Sequence, residues 1–541
     1  MEFNLADLWE RVVDTIPDHE AMVCGTRRLT YAEADERADR LAHHLESLGI
    51  GRGDHVALYL YNGTEYLESM LAAFKLRAVP INVNYRYVEH ELRYVLADSD
   101  AKAIVFHREF GPKLAAVRDD LPYLRGFVAV DAAGSRANAA DTAVLAALGA
   151  DDYERALATA PAGRGCAPRS ADDLYILYTG GTTGMPKGVM WRAEDIFFAA
   201  LGGGRAQDPP LTRPEEIIEH LGTHRRSLPA CPFMHGTAHW MALATLYSGG
   251  TVVISPDHRF DPGELWRLAE RERVSFLVIV GDAFARPLIE ALDQLDPPPD
   301  LAALTAVLSG GAVLSPAVKA AWVARLPGTL LIDGFGASET GGQGLSVTAA
   351  GGAIETAPRF QVDQETMVLG EDLRPAAPGF AGKLARRGHV PLGYYNDPEK
   401  TAATFPVVDG VRWSVPGDHA RLEADGTITV LGRGSVSINT GGEKVYPEEV
   451  ESAVKSHPAV FDAVVVGVAD ARWGERVVAV VQLRPLSTIT VDDLAAHTRG
   501  HLASYKLPRD LVTVDTIVRS PSGKADYRWA RATAERWFGG S

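Results

Sequence analysis

The sequence predicts an α/β protein with mostly parallel sheets, followed by a smaller α+β unit. Short β-branched runs at 251–254, 276–280 and 306–308 predict buried strands, and the patterns at 262–273 and 283–292 predict helices between them. Strands and helices that alternate in this way are typical of helices packed in layers on parallel sheets. The 541 residues are enough for about two to four domains at ~150 residues each.

The C-terminal part of the chain predicts a separate, compact α+β domain. Its predicted elements are the helix 447–457, the strands 464–468 and 477–483, the helix 491–502 and the strand 511–514. Glycine and serine residues at 432–437 are typical of a linker. We therefore predict a large N-terminal domain of residues 1–433, built from several sheets, and a small mobile lid of residues 434–541.

Composition and charge exclude several classes of function. Apolar residues make up 46% and charged residues 23% of the chain, which is the balance of a folded globular protein. The net charge of −16 argues against DNA or RNA as the main partner, because phosphate binding needs a basic face. The longest apolar runs are far shorter than the ~20 residues that cross a bilayer, and no signal peptide is visible. Cys24, Cys166 and Cys231 are far apart and lack metal-ligand spacing, so we expect a reduced, cytoplasmic protein.

The strongest local signal for chemistry is YILYTGGTTGMPKGV at 175–189. An apolar strand runs there into a Thr/Gly-rich loop that ends in Pro186, Lys187 and Gly188. Glycines let backbone amides approach a polyphosphate, threonine hydroxyls add donors, and the lysine adds a point charge. It is not a Walker-type loop, because proline precedes the lysine and no Gly-Lys-Ser/Thr opens a helix. The alternative is a surface loop without a ligand, as most generic Gly/Thr loops are.

The string YTGGTTGMPKGV resembles the phosphate loop of the adenylate-forming superfamily, which contains acyl-CoA synthetases, peptide-synthetase adenylation domains and firefly-type luciferases. Further segments resemble that family in the expected order along nearly the whole chain. They are SGGA at 309–312, DGFGASETG at 333–341, the pairs Gly417-Asp418 and Gly432-Arg433, GGE at 441–443 followed by PEEVE at 447–451, and SPSGK at 520–524. Each segment alone is weak evidence, whereas the ordered set is specific. The resemblance implies an adenylate-forming fold with a rotating lid.

The resemblance also implies where ATP binds. The residues that would hold the phosphates are Thr179, Gly180, Gly181, Thr182, Thr183 and Lys187. The residues on the adenine side would be Gly310, Gly311, Asp333, Gly334, Phe335 and Gly336, with Phe335 stacked on the base. Ser338 would lie near the α-phosphate, Asp418 would accept the ribose hydroxyls, and Arg433 would lie on the ribose or phosphate side.

Three residues would carry the chemistry of the first half-reaction. The resemblance places Lys524 against the substrate carboxylate and the α-phosphate, and gives Glu339 the role of holding Mg²⁺. His235 lies in PFMHG at 232–236, which resembles a segment whose histidine gates or orients the substrate carboxylate. A single histidine on an apolar segment is otherwise more often structural. The absence of a carboxylate from this segment argues against amino acids as substrates.

The second half-reaction needs a thiol to reach the acyl carbonyl. In the family the lid rotates Lys524 away and opens a pantetheine tunnel, which Gly441, Gly442 and Glu443 would line here. Many members carry Asp or Lys at the hinge of that rotation, where this chain has Ser435. Small residues absorb φ/ψ changes readily, so we predict that Ser435 is the hinge.

Beyond the short motifs, the longer segments 177–191, 432–451 and 520–529 resemble those of actinobacterial acyl-CoA synthetases that act on steroid side-chain and other bulky polycyclic acids. Trp240, Met241 and Leu243 follow the histidine and either line an apolar pocket or belong to the core. We predict an ATP-dependent acyl-CoA ligase for a bulky apolar or polycyclic (steroid or terpenoid) acid, with ATP, Mg²⁺ and coenzyme A. The alternatives are the same fold with one half-reaction or a carrier protein as acceptor, and a luciferase-like relative. No nucleic-acid partner and no transmembrane segment are expected.

Overall fold

The computed structural model describes residues 1–131, 139–165, 168–180, 185–203, 210–221, 224–354, 359–440, 443–470, 473–520 and 523–539. Its α-helices are α1 (Leu5–Thr15), α2 (Tyr31–Ser47), α3 (Thr64–Lys75), α4 (Glu89–Asp98), α5 (Gly111–Val117), α6 (Ala139–Leu148), α7 (Tyr153–Thr159), α8 (Ala193–Ala200), α9 (Gly236–Tyr247), α10 (Pro262–Arg271), α11 (Gly281–Leu292), α12 (Pro316–Arg325), α13 (Pro398–Thr404), α14 (Pro447–Lys455), α15 (Val491–Thr498) and α16 (Tyr527–Gly539).

The strands alternate with these helices in the first half of the chain and follow one another more closely in the second half. They are β1 (Glu20–Cys24), β2 (Arg27–Thr30), β3 (His55–Tyr59), β4 (Val79–Asn82), β5 (Ala101–His107), β6 (Gly126–Val130), β7 (Asp151–Asp152), β8 (Leu174–Thr179), β9 (Lys187–Arg192), β10 (Arg226–Pro229), β11 (Thr251–Ile254), β12 (Phe276–Ile279), β13 (Ala306–Gly310), β14 (Leu330–Ala337), β15 (Gly341–Thr348), β16 (Arg359–Val362), β17 (Thr366–Leu369), β18 (Ala381–Arg386), β19 (Gly393–Tyr394), β20 (Val407–Val408), β21 (Val411–Arg412), β22 (Asp418–Leu422), β23 (Ile428–Arg433), β24 (Ile438–Thr440), β25 (Glu443–Val445), β26 (Val460–Asp470), β27 (Gly474–Leu483) and β28 (Asp510–Val514).

Two large sheets make up the N-terminal part of the fold. One has 13 strands in the order β17-β18-β22-β23-β16-β15-β14-β13-β12-β10-β11-β1-β2, and the other has eight in the order β19-β9-β8-β4-β3-β5-β6-β7. Strands β10 to β14 pair in parallel, and the register sets Ser309 beside Asp333 and Gly310 beside Gly334. The carboxyl ends of these strands therefore bring the SGGA and DGFG segments side by side at one edge of the sheet.

The C-terminal part forms its own five-stranded sheet, β25-β24-β27-β26 with β28 paired in parallel to β27. Both faces of this sheet are buried. Val465 packs under α14 and α15 on one face, and Val464 packs under α16 on the other. Strands with two buried faces have near-continuous apolar sequences, which is why the valine runs were recognisable. The change of sheet falls between Arg433 and Ile438; the boundary at 433/434 itself stays a prediction.

The predicted elements are confirmed with small shifts of their ends. The predicted strand 464–468 is longer, Val460–Asp470, because Asp462 interrupts the apolar run and hides the start of the strand. The predicted helix 283–292 begins earlier, at Gly281. Within the described residues, no helix is long and apolar enough to cross a membrane.

Candidate active site

One cavity of about 720 Å³ lies between the two parts of the chain. It brings together most of the sequence-predicted site residues that the structure describes. Those on its wall are Thr179, Gly180, Gly311, Asp333, Gly334, Phe335, Gly336, Ser338, Glu339, Asp418, Arg433, Glu443 and Lys524. Gly181, Thr182, Thr183, Gly441 and Gly442 lie outside the described residues.

The predicted phosphate loop joins two antiparallel strands. Thr179 ends β8 and pairs with Lys187 at the start of β9, so the loop leaves and returns at one point of the eight-stranded sheet. Lys187 does not line the cavity. Its ammonium forms an ion pair with Asp397 and lies 5.7 Å from the ring centroid of Tyr394.

The predicted adenine side is formed by the ends of β13 and β14. Phe335 faces the cavity and packs on Phe360, with ring centroids 5.7 Å apart. Asp333 is buried and forms an ion pair of 2.7 Å with Lys319. Burial raises the pKa of Asp333, and the Lys319 ammonium opposes that rise. The Asp333 carboxylate is therefore engaged within the protein, which leaves the backbone of this segment to face the cavity. Gly310 is not on the cavity wall.

Glu339 follows β14 and is buried at the cavity wall. Its Oε1 accepts a hydrogen bond of 2.8 Å from the Tyr394 hydroxyl, and its backbone carbonyl accepts one of 2.6 Å from Ser414. The adjacent Ser338 carbonyl accepts a hydrogen bond of 3.1 Å from the Trp191 indole. The side chain and the backbone of Glu339 are both held by hydrogen bonds, so its carboxylate has a defined orientation.

Asp418 and Arg433 face each other across the antiparallel pair β22 and β23. Their Oδ1 and Nε atoms are 3.4 Å apart, and Asp418 is buried. Burial alone would lower the pKa of Arg433, but the carboxylates of Asp418 and Glu339 raise it. This guanidinium therefore remains charged beside two carboxylates on the wall of the cavity.

Lys524 projects into the cavity from the lid. Its loop is closed by two hydrogen bonds with Ser520, whose amide donates to the Lys524 carbonyl and whose hydroxyl accepts from the Lys524 amide. Its Cε lies about one van der Waals contact from the position that a side chain on Gly311 would occupy. The Lys524 side chain is exposed, and it lines the cavity. Desolvation by the protein atoms around it, followed by the charge of Arg433, lowers the pKa of Lys524. Glu339 and Asp418 oppose the shift.

His235 is the residue that precedes α9, and it lies behind the cavity wall. Burial and, next, the charge of Lys524 lower the pKa of His235 to about 3, so the imidazole is neutral near pH 7. Its Nε2 is buried and has no hydrogen-bond partner among the described residues. A neutral ring with one free buried nitrogen close to Lys524 can accept or donate one hydrogen bond to a ligand.

The segment after His235 belongs largely to the core. Leu243 is fully buried, and the indole of Trp240 donates a hydrogen bond of 2.8 Å to the Tyr175 hydroxyl. Met241 is only partly buried and packs against the same core. Of the two interpretations left open by the sequence, the core therefore applies to Trp240 and Leu243.

The segment between the two parts is tightly packed. A Cβ on Gly432, whose φ is +123°, would lie 2.2 Å from Glu448 Oε2 of the lid. Only glycine fits there in this arrangement. The predicted hinge Ser435 lies in the 3-10 turn Gly434–Val436 directly after β23, and its side chain is outside the described residues.

Four further residues belong to the site. Glu448 lies in the PEEVE segment, which gave it no role, and the other three have no signal in the sequence. Tyr394 contacts Glu339 from another sheet, and Asp282, Glu448 and Tyr527 line the cavity. Burial, then Glu451, raises the pKa of Glu448 to about 8. These residues reach the site through packing between segments distant in the chain, which periodicity and short motifs do not encode.

Comparisons with known proteins agree with this geometry. Residues 9–395 match the model of the AMP-binding enzyme family, and residues 449–524 match that of the AMP-binding enzyme C-terminal domain. The chain is 46% identical over 540 residues to the 3-oxocholest-4-en-26-oate–CoA ligase of Rhodococcus rhodochrous, covering 98% of this chain and 96% of that protein. It is 43% identical over 540 residues to the medium/long-chain-fatty-acid–CoA/3-oxocholest-4-en-26-oate–CoA ligase of Mycobacterium tuberculosis, with the same coverage of 98% and 96%. The crystal structure of ATP-bound MatB from Rhodopseudomonas palustris matches with a TM-score of 0.81 and 26% identity, covering 98% of this chain and 99% of that chain.

Proposed function

The chain belongs to the AMP-binding enzyme family, and from that premise we propose that it couples a bulky apolar or polycyclic acid, of the steroid or terpenoid type, to coenzyme A. The chain is an ATP-dependent, AMP-forming acyl-CoA ligase, as its relatives of 43–46% identity over the whole length are. The identity of the acid and the role of each residue are the proposed parts.

One observation carries the mechanism: Lys524 of the lid faces Glu339 and Asp418 across a single cavity. In the first half-reaction a carboxylate oxygen of the acid attacks the α-phosphorus of ATP. The bond from that phosphorus to the bridging oxygen breaks, and pyrophosphate leaves with the electron pair. Negative charge gathers at the α-phosphate, and the Lys524 ammonium and Arg433 guanidinium stabilise it by position. Asp418 accepts the ribose hydroxyls, and Phe335 stacks on adenine.

The donor set at Glu339 suits Mg²⁺. A buried carboxylate and the Thr179 hydroxyl line the same cavity, and hard oxygen donors are the ligands that this ion prefers. Bound there with ATP, Mg²⁺ would neutralise charge on the phosphates. Lys187 and the loop that begins at Thr179 would hold the outgoing pyrophosphate.

In the second half-reaction the coenzyme A sulfur attacks the acyl carbonyl carbon, AMP leaves, and the thiol proton passes to solvent. Lys524 lies beside Gly311 in this arrangement, and its proposed role holds it against the substrate carboxylate, so the lid would rotate before a thiol enters. We propose that the turn at Ser435 absorbs the rotation and that Glu443, with Gly441 and Gly442, then lines the thiol path.

A bulky, rigid acid is supported by the names of the two relatives, both of which act on 3-oxocholest-4-en-26-oate. The second of them also acts on medium- and long-chain fatty acids, which makes a fatty acid the second candidate. Rigid and flexible acids of equal carbon count bury similar apolar area at ~25 cal/mol per Å². The flexible chain also freezes its torsions, at roughly 0.5 kcal/mol or more each.

The test is thioester formation with ATP and coenzyme A across acetate, octanoate, palmitate, phenylalanine, a steroid side-chain acid and a kaurane-type acid. A polycyclic acid should exceed palmitate in kcat/KM by at least about an order of magnitude. Acetate and phenylalanine should be very poor substrates. A clear preference for palmitate would overturn the polycyclic assignment and leave the ligase intact.

We also propose that the reaction takes place in the reducing cytoplasm, where ATP and coenzyme A are available. Cys24 and Cys231 are free thiols in the structure, as that compartment requires. Fractionation of cells that express the chain, with assay of ligase activity in each fraction, tests this.

A further inference from the structure

We propose that Tyr394 is a positioning residue for the first half-reaction: its hydroxyl orients the Mg²⁺-binding carboxylate of Glu339, and its ring fixes Lys187 beside it. The proposal rests on the proposed function, because it takes Glu339 as the metal ligand. Tyr394 touches neither the cavity nor, on this account, any substrate atom.

The hydroxyl contact is short and buried. The Tyr394 hydroxyl lies 2.8 Å from Glu339 Oε1, and the side chains of both residues are less than a tenth exposed. The Tyr394 hydroxyl is the donor in this bond, since a carboxylate oxygen only accepts. The bond uses Oε1, so Oε2 remains able to bind a ligand.

The ring contact involves Lys187, the lysine proposed to hold the outgoing phosphates. Lys187 Nζ lies 5.7 Å from the centroid of the Tyr394 ring, while its ion-pair partner Asp397 caps α13 just beyond. A cation over an aromatic face is attracted by the ring quadrupole. One side chain thus contacts both the carboxylate assigned to the metal and the lysine assigned to the outgoing phosphates.

The backbone of Tyr394 is anchored to the strand that carries Lys187. Tyr394 pairs with Val189 in the ladder of β19 and β9, and its amide donates a hydrogen bond of 2.8 Å to Thr401. Glu339 lies in the turn between β14 and β15 of the 13-stranded sheet, and Lys187 belongs to the eight-stranded sheet. Tyr394 therefore fixes the spacing of two charges that different sheets supply, which neither sheet could fix alone.

The experiment compares Tyr394→Phe with Tyr395→Phe. Both substitutions remove one hydroxyl that donates to a carboxylate at 2.8 Å, but Tyr395 donates to Asp100 on the surface. Mn²⁺ binding to the enzyme with α,β-methylene-ATP is measured by electron paramagnetic resonance, and the Mg²⁺ dependence of pyrophosphate release is measured beside it. Loss of a hydrogen bond to a metal-binding carboxylate typically weakens metal affinity about 10- to 100-fold. We expect that loss for Tyr394→Phe and no change for Tyr395→Phe.

Thioester formation from a supplied acyl-adenylate should be unchanged in Tyr394→Phe, because no pyrophosphate takes part in that step. A fall in both half-reactions together would overturn the proposal in favour of a general structural role, as would Mn²⁺ affinity equal to that of the wild type. The cycle with Glu339→Gln gives a second test: the double variant should bind Mn²⁺ no more weakly than Glu339→Gln alone. Additive losses would overturn the proposal. If the wild-type chain itself fails to bind Mn²⁺ with the nucleotide analogue, the proposed function fails, which is a different result.

Discussion

The two walls of the cavity differ in how their charges are held. On the wall of the large domain, Glu339 accepts a hydrogen bond from Tyr394, and Asp418 faces Arg433 at 3.4 Å. On the lid wall, Lys524 has no ion-pair partner among the described residues, and Glu448 Oε2 is buried without a hydrogen bond there. These charged groups of the large domain are thus held within that domain. The lid wall is mixed: Lys506 pairs with Glu449 and Arg519 with Asp462, whereas Lys524 points at the cavity without such a partner among the described residues.

Among the described residues, few ion pairs join the lid to the large domain. Lys455 Nζ lies 3.6 Å from Asp282 Oδ2, and both residues are buried. Arg484 lies 3.3 Å from Glu290, and both side chains are well exposed. The exposed pair of Arg484 and Glu290 can be exchanged for other contacts at small cost, whereas loss of the buried pair of Lys455 and Asp282 costs more. We infer that the large-domain wall serves both half-reactions and that the lid wall seen here serves the first.

The largest expected effect comes from Lys524→Ala. The substitution removes the positive charge that we propose the lid brings to the α-phosphate, and loss of such a group costs on the order of 10²–10³-fold in rate. Pyrophosphate release in a single turnover, with saturating ATP and acid, measures it. A loss smaller than about tenfold would show that Lys524 does not stabilise this transition state.

A smaller but broader effect is expected from Asp418→Ala. This carboxylate is proposed to hold the ribose in ATP and in the acyl-adenylate alike, and hydrogen bonds to a charged group contribute about 1.5–3 kcal/mol. Each half-reaction should therefore slow by roughly 10- to 100-fold, as measured separately by pyrophosphate release and by thioester formation. An effect on the first half-reaction alone would break the distinction between the two walls.

The pH dependence of the lid should come from Glu448. Its pKa rises from the ordinary 4.5 to about 8 in this arrangement, mainly through burial, so closing the lid takes up a proton between those values. Closing therefore becomes less favourable as pH rises through that window, by up to ~1.4 kcal/mol per pH unit, and levels off above it. Glu448→Gln removes the titration. The adenylation rate of Glu448→Gln relative to the wild type should rise about tenfold or more from pH 6 to pH 8.

Glu449→Gln is the matched control for that variant. Glu449 is the next residue of α14 and already forms an ion pair of 2.6 Å with Lys506 on the lid itself. Its substitution should leave the pH profile of adenylation as in the wild type. Parallel profiles for Glu448→Gln and the wild type would show that Glu448 does not take up the proton.

The smallest effect is expected from Arg484→Ala. The exposed pair with Glu290 is of the class that contributes about 0–1 kcal/mol, so adenylation should change less than about fivefold. Lys455→Met is the variant for comparison, because it leaves Asp282 buried without that partner. It should lose more adenylation activity than Arg484→Ala. The reverse order would mean that the exposed edge, not the buried one, holds the lid.

The fold was predictable where one face or both faces of an element are apolar. In strands such as Phe276–Ile279 and helices such as Pro262–Arg271, the spacing of apolar residues is visible in the sequence. The type and position of these elements could therefore be predicted. Val460–Asp470 carries Asp462 near its start, which pairs with Arg519 of the lid, and this long-range contact hid where the strand begins.

The site was predictable where it is built from short contiguous segments. Thr179, Gly311, Glu339, Asp418 and Lys524 lie on one cavity, although more than 300 residues separate the first from the last. Their partners were not predictable, since Tyr394 reaches Glu339 and Lys319 reaches Asp333 only after the sheets assemble. Sequence motifs therefore gave the groups proposed to touch substrate, and the structure adds those that orient them.

The most direct test of the two walls is thioester formation from a supplied acyl-adenylate and coenzyme A, measured for Lys524→Ala and Asp418→Ala side by side. Because we propose that the lid rotates Lys524 away before this step, Lys524→Ala should retain the wild-type rate within about threefold while Asp418→Ala loses roughly tenfold or more. Circular dichroism of both variants confirms that they are folded. Loss of this half-reaction in Lys524→Ala to the same extent as its loss of adenylation would contradict the account.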